Sequence, residues 1–233
     1  MYTFLFFLIG CCLGSFIPCF AERREKQLSQ SGRSQCMTCG KTLSAFELIP
    51  IISFLLCHGH CRNCHAPIPK IYLFSETWLG LIGAYLGYHT HTPLHTLLLL
   101  ITFCLLLLLS IDDYDTLHIH DSDLFIYLTV LLIDSILFGD HLWLNQMLGA
   151  SLMGLILFLI AKIFPGGLGS GDILFIAISG FYLGIPKICY AFCLGILCAV
   201  IYAIYLFATQ AATRKTAIPL IPFLAIGTAF LLL

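Results

Sequence analysis

Residues 94–111 read LHTLLLLITFCLLLLLSI, without one Asp, Glu, Lys or Arg. As a helix this stretch is about 27 Å long, close to the ~30 Å hydrocarbon core of a bilayer. Comparable apolar segments recur at 2–20, 71–88, 123–139, 142–164, 173–184, 187–208 and 216–233. Charged residues make up only 10% of the chain, against about 25% in an ordinary soluble domain. Soluble globular and disordered classes are thereby excluded. The expectation is an all-α polytopic membrane protein with about eight transmembrane helices, its lipid partner the bilayer. The segment at 173–184 is short for a span and reads as tilted or partly re-entrant. The net charge of −1 leaves no basic surface for nucleic acid, so no such partner is expected.

No basic residue precedes the first apolar segment, whereas Arg23, Arg24 and Lys26 follow it. A secretory signal would have the reverse order, so 1–20 reads as a retained first helix with its N-terminus outside. Alternating the loops from there puts 21–70, 112–122, 165–172 and 209–215 in the cytoplasm. Ten of the eleven Lys and Arg residues then fall inside and only Lys187 outside, the bias that fixes orientation in a cell membrane. The expected organisation is a first helix at 1–20, a cytoplasmic loop at 21–70 and a multi-span domain at 71–233.

Most of the twelve cysteines lie in apolar segments and read as small buried hydrophobes. Four are different. Cys36-Met-Thr-Cys39 and Cys61-Arg-Asn-Cys64 are two C-x2-C knuckles separated by twenty-one residues. Four thiolates so spaced suit tetrahedral Zn²⁺, and Gly40 suits the tight turn after the first pair. Redox-active dithiols and unused thiols are the other readings, and a reducing cytoplasm weighs against disulfides. A bound metal would supply the folding free energy that a loop of this size cannot draw from its core. Within it, LIPIISFLL at 48–56 is strongly apolar and suggests contact with the membrane surface.

Two further loops carry acid. The chain reads IDDYDTLHIHD at 111–121 and PGGLGSGD at 165–172. Two spans separate them, so parity puts both on one face, together with the cysteine loop. Two carboxylates brought together can share a proton, one acting as base for a water while the other polarises a carbonyl. Such a pair hydrolyses a peptide bond. Asp172 opens an apolar helix behind four glycines, and those glycines let backbone approach the carboxylate closely.

This ordered set resembles the type IV prepilin peptidase family, including the enzymes that process competence pseudopilins. The resemblance runs over nearly the whole chain. It rests on Gly14-Ser15-Phe16, both cysteine pairs, Glu47-Leu48-Ile49-Pro50, Gly59-His60-Cys61-Arg62 and Glu76. It continues through the D-x-D-x5-D run of Asp113, Asp115 and Asp121, the G-x-G-x-G-D ending in Gly169-Ser170-Gly171-Asp172, and IPLIPFL at 218–224. The resemblance implies a GxGD-type aspartyl endopeptidase with Asp113 and Asp172 as the catalytic pair, supported by Asp115, Asp121, Gly169 and Gly171. It implies cleavage of the basic leader of prepilins or pseudopilins at the cytoplasmic face, with structural zinc on Cys36, Cys39, Cys61 and Cys64. N-methylation of the new terminus with S-adenosylmethionine would involve residues such as Gly14 and Glu47. The chain departs from the family pattern at His120, where Pro is usual, at Asp112, where an apolar residue is usual, at Leu174, where Lys is frequent, and in lacking a Pro early in the second span.

Two competing functions use the same residues. A membrane thiol–disulfide oxidoreductase would want its cysteine pairs on the outer side, opposite to the charge bias. A proton-coupled transporter would want carboxylates at mid-bilayer, whereas the main acidic cluster lies at the edge.

Overall fold

A computed structural model describes residues 2–30, 32–139, 142–164, 168–210 and 217–233. Two sequence expectations fall outside them: the first glycines of the Gly-rich loop, Gly166 and Gly167, and the basic pair Arg214 and Lys215. Among the described residues the secondary structure is helical, with two isolated β-bridges and no strand.

The α-helices are α1 (Thr3–Glu25), α2 (Ile52–Leu56), α3 (Lys70–His89), α4 (Pro93–Thr116), α5 (Asp121–Phe138), α6 (Trp143–Ile163), α7 (Ser170–Leu183), α8 (Lys187–Ala208) and α9 (Ile221–Leu232). All but α2 coincide with an expected apolar segment. Four of them, α1, α4, α6 and α8, are long and apolar enough to cross a membrane on that basis alone. Helices α7 and α9, with 14 and 12 residues, are shorter. The chain is a multi-pass membrane protein.

The chain divides into two compact units, residues 1–104 and 105–233, with α4 running through the division. In the first unit α1 and α3 pack antiparallel along a seam of small residues. A Cβ on Gly14 would collide with the Ser75 carbonyl, and one on Gly10 with the Leu79 carbonyl. This is how helices associate where no hydrophobic effect drives them together, by letting backbones approach. The Ser75 hydroxyl donates to the Gly14 carbonyl at 2.7 Å, and Tyr72 donates to Glu22 Oε2 at 3.0 Å near the end of the pair.

Between α1 and α3 the chain forms two matching knuckles. Cys36 N–H donates to the Lys41 carbonyl and Cys61 N–H to the Ala66 carbonyl, each at 2.9 Å. A β-bridge closes each one, Gln35 with Thr42 and His60 with Pro67. The left-handed turn that Gly40 makes at φ 69° is repeated in the second knuckle by His65 at φ 55°. Histidine accepts this region at a small steric cost.

In the second unit α6 meets α7 at Gly149 and Gly180, and α8 meets α9 at Gly195 and Gly227, again by close backbone approach. Helix α5 joins α7 through the stacked rings of Tyr127 and Phe175, 5.6 Å apart, and a hydrogen bond between the Tyr127 and Ser179 hydroxyls at 3.1 Å.

Candidate functional site

The sequence places Asp112, Asp113 and Asp115 in a loop, but α4 continues through them to Thr116. Acidic residues at a helix C-terminus oppose its dipole. Tertiary contact offsets this for Asp113, which is buried at 7% exposure and accepts the Ile221 backbone N–H on Oδ2 at 2.9 Å. Ile221 opens α9, so this N–H is one of the donors that a helix start leaves unpaired, at the positive end of its dipole. The IPLIPFL motif has a physical role here. Its prolines punctuate the approach to α9 and sit in its first turn, and the chain delivers Ile221 N–H to the carboxylate.

Asp172 is the third residue of α7, and its Oδ2 accepts the Gly169 N–H at 3.0 Å. This reach-back fixes the carboxylate at the helix entrance. Gly171 leaves room for Ile119, whose side chain would meet a Cβ there at 2.6 Å. Asp113 and Asp172 are near enough that the charge of one acts on the other. Each of the two aspartates is thus held by a backbone N–H at a helix start, while Asp115 and Asp121 are exposed.

Sequence reasoning did not select Asp112, His120 and Asp123 as one group. Their ligating atoms lie within 4.8 Å of one another, with both carboxylates buried and His120 Nδ1 3.9 Å from Asp112 Oδ2. The signal was present, because Asp112 and His120 are both departures from the family pattern.

In the first unit the Sγ atoms of Cys36, Cys39, Cys61 and Cys64 all lie within 4.8 Å of one another, and Cys36 and Cys64 are 3.8 Å apart. Backbone N–H groups at the knuckle turns lower the thiol pKa of Cys36, Cys39 and Cys61. The cluster has the composition and spacing to hold a metal ion.

Beside it a cavity of about 250 Å³ is lined by Glu22, Arg23, Glu47, Tyr72 and Glu76, among others. Glu47 is held by Ser44, whose N–H and hydroxyl each donate to Oε2 at 2.8 Å. The Ser44 backbone N–H is the main cause of a lowered Glu47 pKa. Gly14 packs against α3 at Ser75 and Glu76, and Ser15 reaches the cavity wall. Glu76 was not selected as a site residue, although a lone carboxylate in an apolar helix is the signal that finds such groups. It is buried and accepts the Ile51 N–H at 2.6 Å.

An all-helical membrane protein with a four-thiol loop and a pair of buried or half-buried aspartates defines a narrow class. Comparison with known proteins gives the family. Residues 8–90 match the model of the bacterial peptidase A24 N-terminal domain, and residues 100–204 that of the type IV leader peptidase family. A prepilin leader peptidase/N-methyltransferase of Bacillus subtilis is 30% identical over 225 residues, covering 96% of this chain and 91% of the relative. Proteins of the same name from Stutzerimonas stutzeri and Pseudomonas aeruginosa are 29% and 25% identical, covering 83% and 94% of this chain and 69% and 86% of their own lengths. No solved structure matches the chain. The chain belongs to the type IV leader peptidase family.

Proposed function

We propose that this protein is an inner-membrane aspartyl endopeptidase that removes the basic leader of prepilins or pseudopilins at the cytoplasmic face. The observation that supports this reading is that Asp113 and Asp172 are each held by a backbone N–H from a different helix start and that the charge of Asp113 acts on Asp172. With one carboxylate ionised and the other protonated, the first takes a proton from an attacking water. The second donates its proton to the scissile carbonyl oxygen as the tetrahedral centre forms. Proton return to the leaving amine then frees the new N-terminus. The N–H groups of Ile221 and Gly169 orient the two carboxylates through this cycle. Asp115 and Asp121, exposed beside the pair, supply negative charge for the Lys and Arg of a leader.

The cysteine cluster fits zinc. Four thiolates at 2.3 Å from a tetrahedral ion stand about 3.8 Å apart, the separation found between Cys36 and Cys64. When bound, the ion cross-links the two knuckles and has no part in hydrolysis.

The cavity beside Glu47 suits the second activity carried in the relatives' name. S-adenosylmethionine would supply an electrophilic methyl group there, and the carboxylates of Glu22, Glu47 and Glu76 suit a sulfonium or an ammonium. Gly14 keeps α1 close enough to α3 to form the cavity wall.

The test is co-expression with a candidate prepilin. Asp113→Asn and Asp172→Asn should each insert normally yet lower cleavage by on the order of 10²–10⁴-fold, read by gel shift. In the same assay Glu47→Gln should cleave normally and lower methylation of the product, read by mass. Full processing by both aspartate variants would end the peptidase reading, and normal methylation by Glu47→Gln would end the assignment of the cavity.

A further inference from the structure

The apolar stretch of the cysteine loop lines the cavity with Leu48, Ser53 and Phe54, but most of its large side chains do not face it. Phe46, Leu48, Ile49, Ile52, Leu55 and Leu56 are all exposed, Phe46 at 75% and Leu56 at 62%. So many large apolar side chains within eleven residues form a patch that a loop in water does not keep uncovered. The helix is one-sided. Ile52, Leu55 and Leu56 share the outward face at helical spacing, whereas the Phe54 ring turns inward against Gly59, 3.1 Å from where a Cβ would stand.

One hydrogen bond fixes where the patch stands along α3. Ile51, the residue just before α2, donates its N–H to Glu76 Oε2 at 2.6 Å. Glu76 is six residues into α3, which puts it about 9 Å along the axis from Lys70. Helix α2 therefore begins beside the second turn of α3, at the level where α3 itself turns Phe74 outward at 57% exposure and Ile71 at 41%. The exposed face of the loop thus lies level with the outward apolar surface of α3. Ile51 adopts φ 64° to make this arrangement, a strained value for a β-branched residue that persists only where its surroundings hold it. Basic charge stands near the start of the patch. Lys41 Nζ lies 4.0 Å from Glu47 Oε1, the residue after Phe46, the charge of Arg62 also acts on Glu47, and both basic residues are exposed.

We propose that this face lies in the interfacial layer of the bilayer alongside α3, its occupant being lipid, with Lys41 and Arg62 at anionic headgroups. The cysteine loop is then a membrane-resting domain. The patch sets the height at which the knuckles and the cavity stand above the lipid. A protein partner, such as an apolar helix of a substrate, is the competing occupant.

The experiment uses the full-length protein in vesicles of phosphatidylcholine and phosphatidylglycerol. In a Trp78→Phe, Trp143→Phe background, Leu55→Trp or, separately, Phe46→Trp supplies the only indole. Phe46→Trp exchanges one exposed aromatic for another, so it carries the test if Leu55→Trp fails to fold. Acyl chains brominated near the headgroup should quench the reporter at least twofold, and aqueous acrylamide should quench it several-fold less than free tryptophan. An indole open to acrylamide and blind to bromolipid would overturn the proposal and leave the patch to a protein partner. Neither outcome depends on peptidase or methyltransferase activity.

Discussion

Gly14 and Gly40 both favour glycine, for unrelated reasons. At Gly14 the limit is space, because a Cβ would strike the Ser75 carbonyl on the facing helix. At Gly40 it is conformation, since φ is 69° and a Cβ would meet nothing within 4 Å. Gly14→Ala should therefore loosen the α1–α3 pair by about 1–3 kcal/mol, seen as a lower melting temperature in detergent. Gly40→Ala should cost about 1–2 kcal/mol within its own knuckle, weakening metal affinity while α1–α3 melting stays unchanged. Asp113 shows the same division at a charged residue. Spacing to Asp121 distinguishes it from Asp112 in the sequence, but both are buried. Asp113 receives a backbone N–H from a residue 108 positions away, a pairing no local pattern announces.

At the level of elements, the start of α9 acts as an anion-binding helix end for Asp113. Ile221→Pro would remove the donated N–H while leaving a residue tolerated in the first turn of a helix. A hydrogen bond to a charged group contributes about 1.5–3 kcal/mol, so cleavage should fall on the order of tenfold to a hundredfold, with insertion unchanged by membrane fractionation. The two knuckles form another element-level unit. Cys36→Ser should lower bound zinc well below one ion per chain and destabilise the loop, measured by atomic absorption and by proteolysis. Zinc affinity should also fall with falling pH, because protons compete for the same sulfurs. The backbone N–H groups that lower the pKa of Cys36, Cys39 and Cys61 keep those thiolates available further into the acid range. At Cys64 the Ala66 backbone N–H lowers the thiol pKa, but burial and the three neighbouring sulfurs together raise it. Unchanged zinc content in Cys36→Ser would remove this role.

For the whole molecule, the apolar segments and the distribution of Lys and Arg together predict which ends of the helices face the cytoplasm. Alkaline phosphatase fused after Pro186 should be active outside, and the same enzyme fused after Thr209 should be inactive. The reverse pattern would invert the proposed orientation and move the aspartate pair to the outer face. The eight apolar segments are each legible as a helix because a helix satisfies its own backbone in lipid. Their ends are less legible. Helix α4 runs on to Thr116 through three aspartates, since the tertiary partner of Asp113 offsets the unfavourable dipole. The fate of the 48–56 stretch is equally non-local. Its hydrophobicity is written in the chain, yet its place along α3 follows from the hydrogen bond between Ile51 and Glu76.

The amino-acid sequence alone determined what depends on neighbours along the chain: helical spans, knuckle spacing, charge bias and which aspartates to suspect. Periodicity, turn chemistry and solvent preference are local or additive, so they survive in one dimension. Only the tertiary structure decided which backbone N–H meets which carboxylate, that Asp112, His120 and Asp123 gather at one point, and that Glu76 closes a cavity with Glu22 and Glu47. Each of these is a contact between distant segments, made when small residues let helices approach and a buried charge must find a donor.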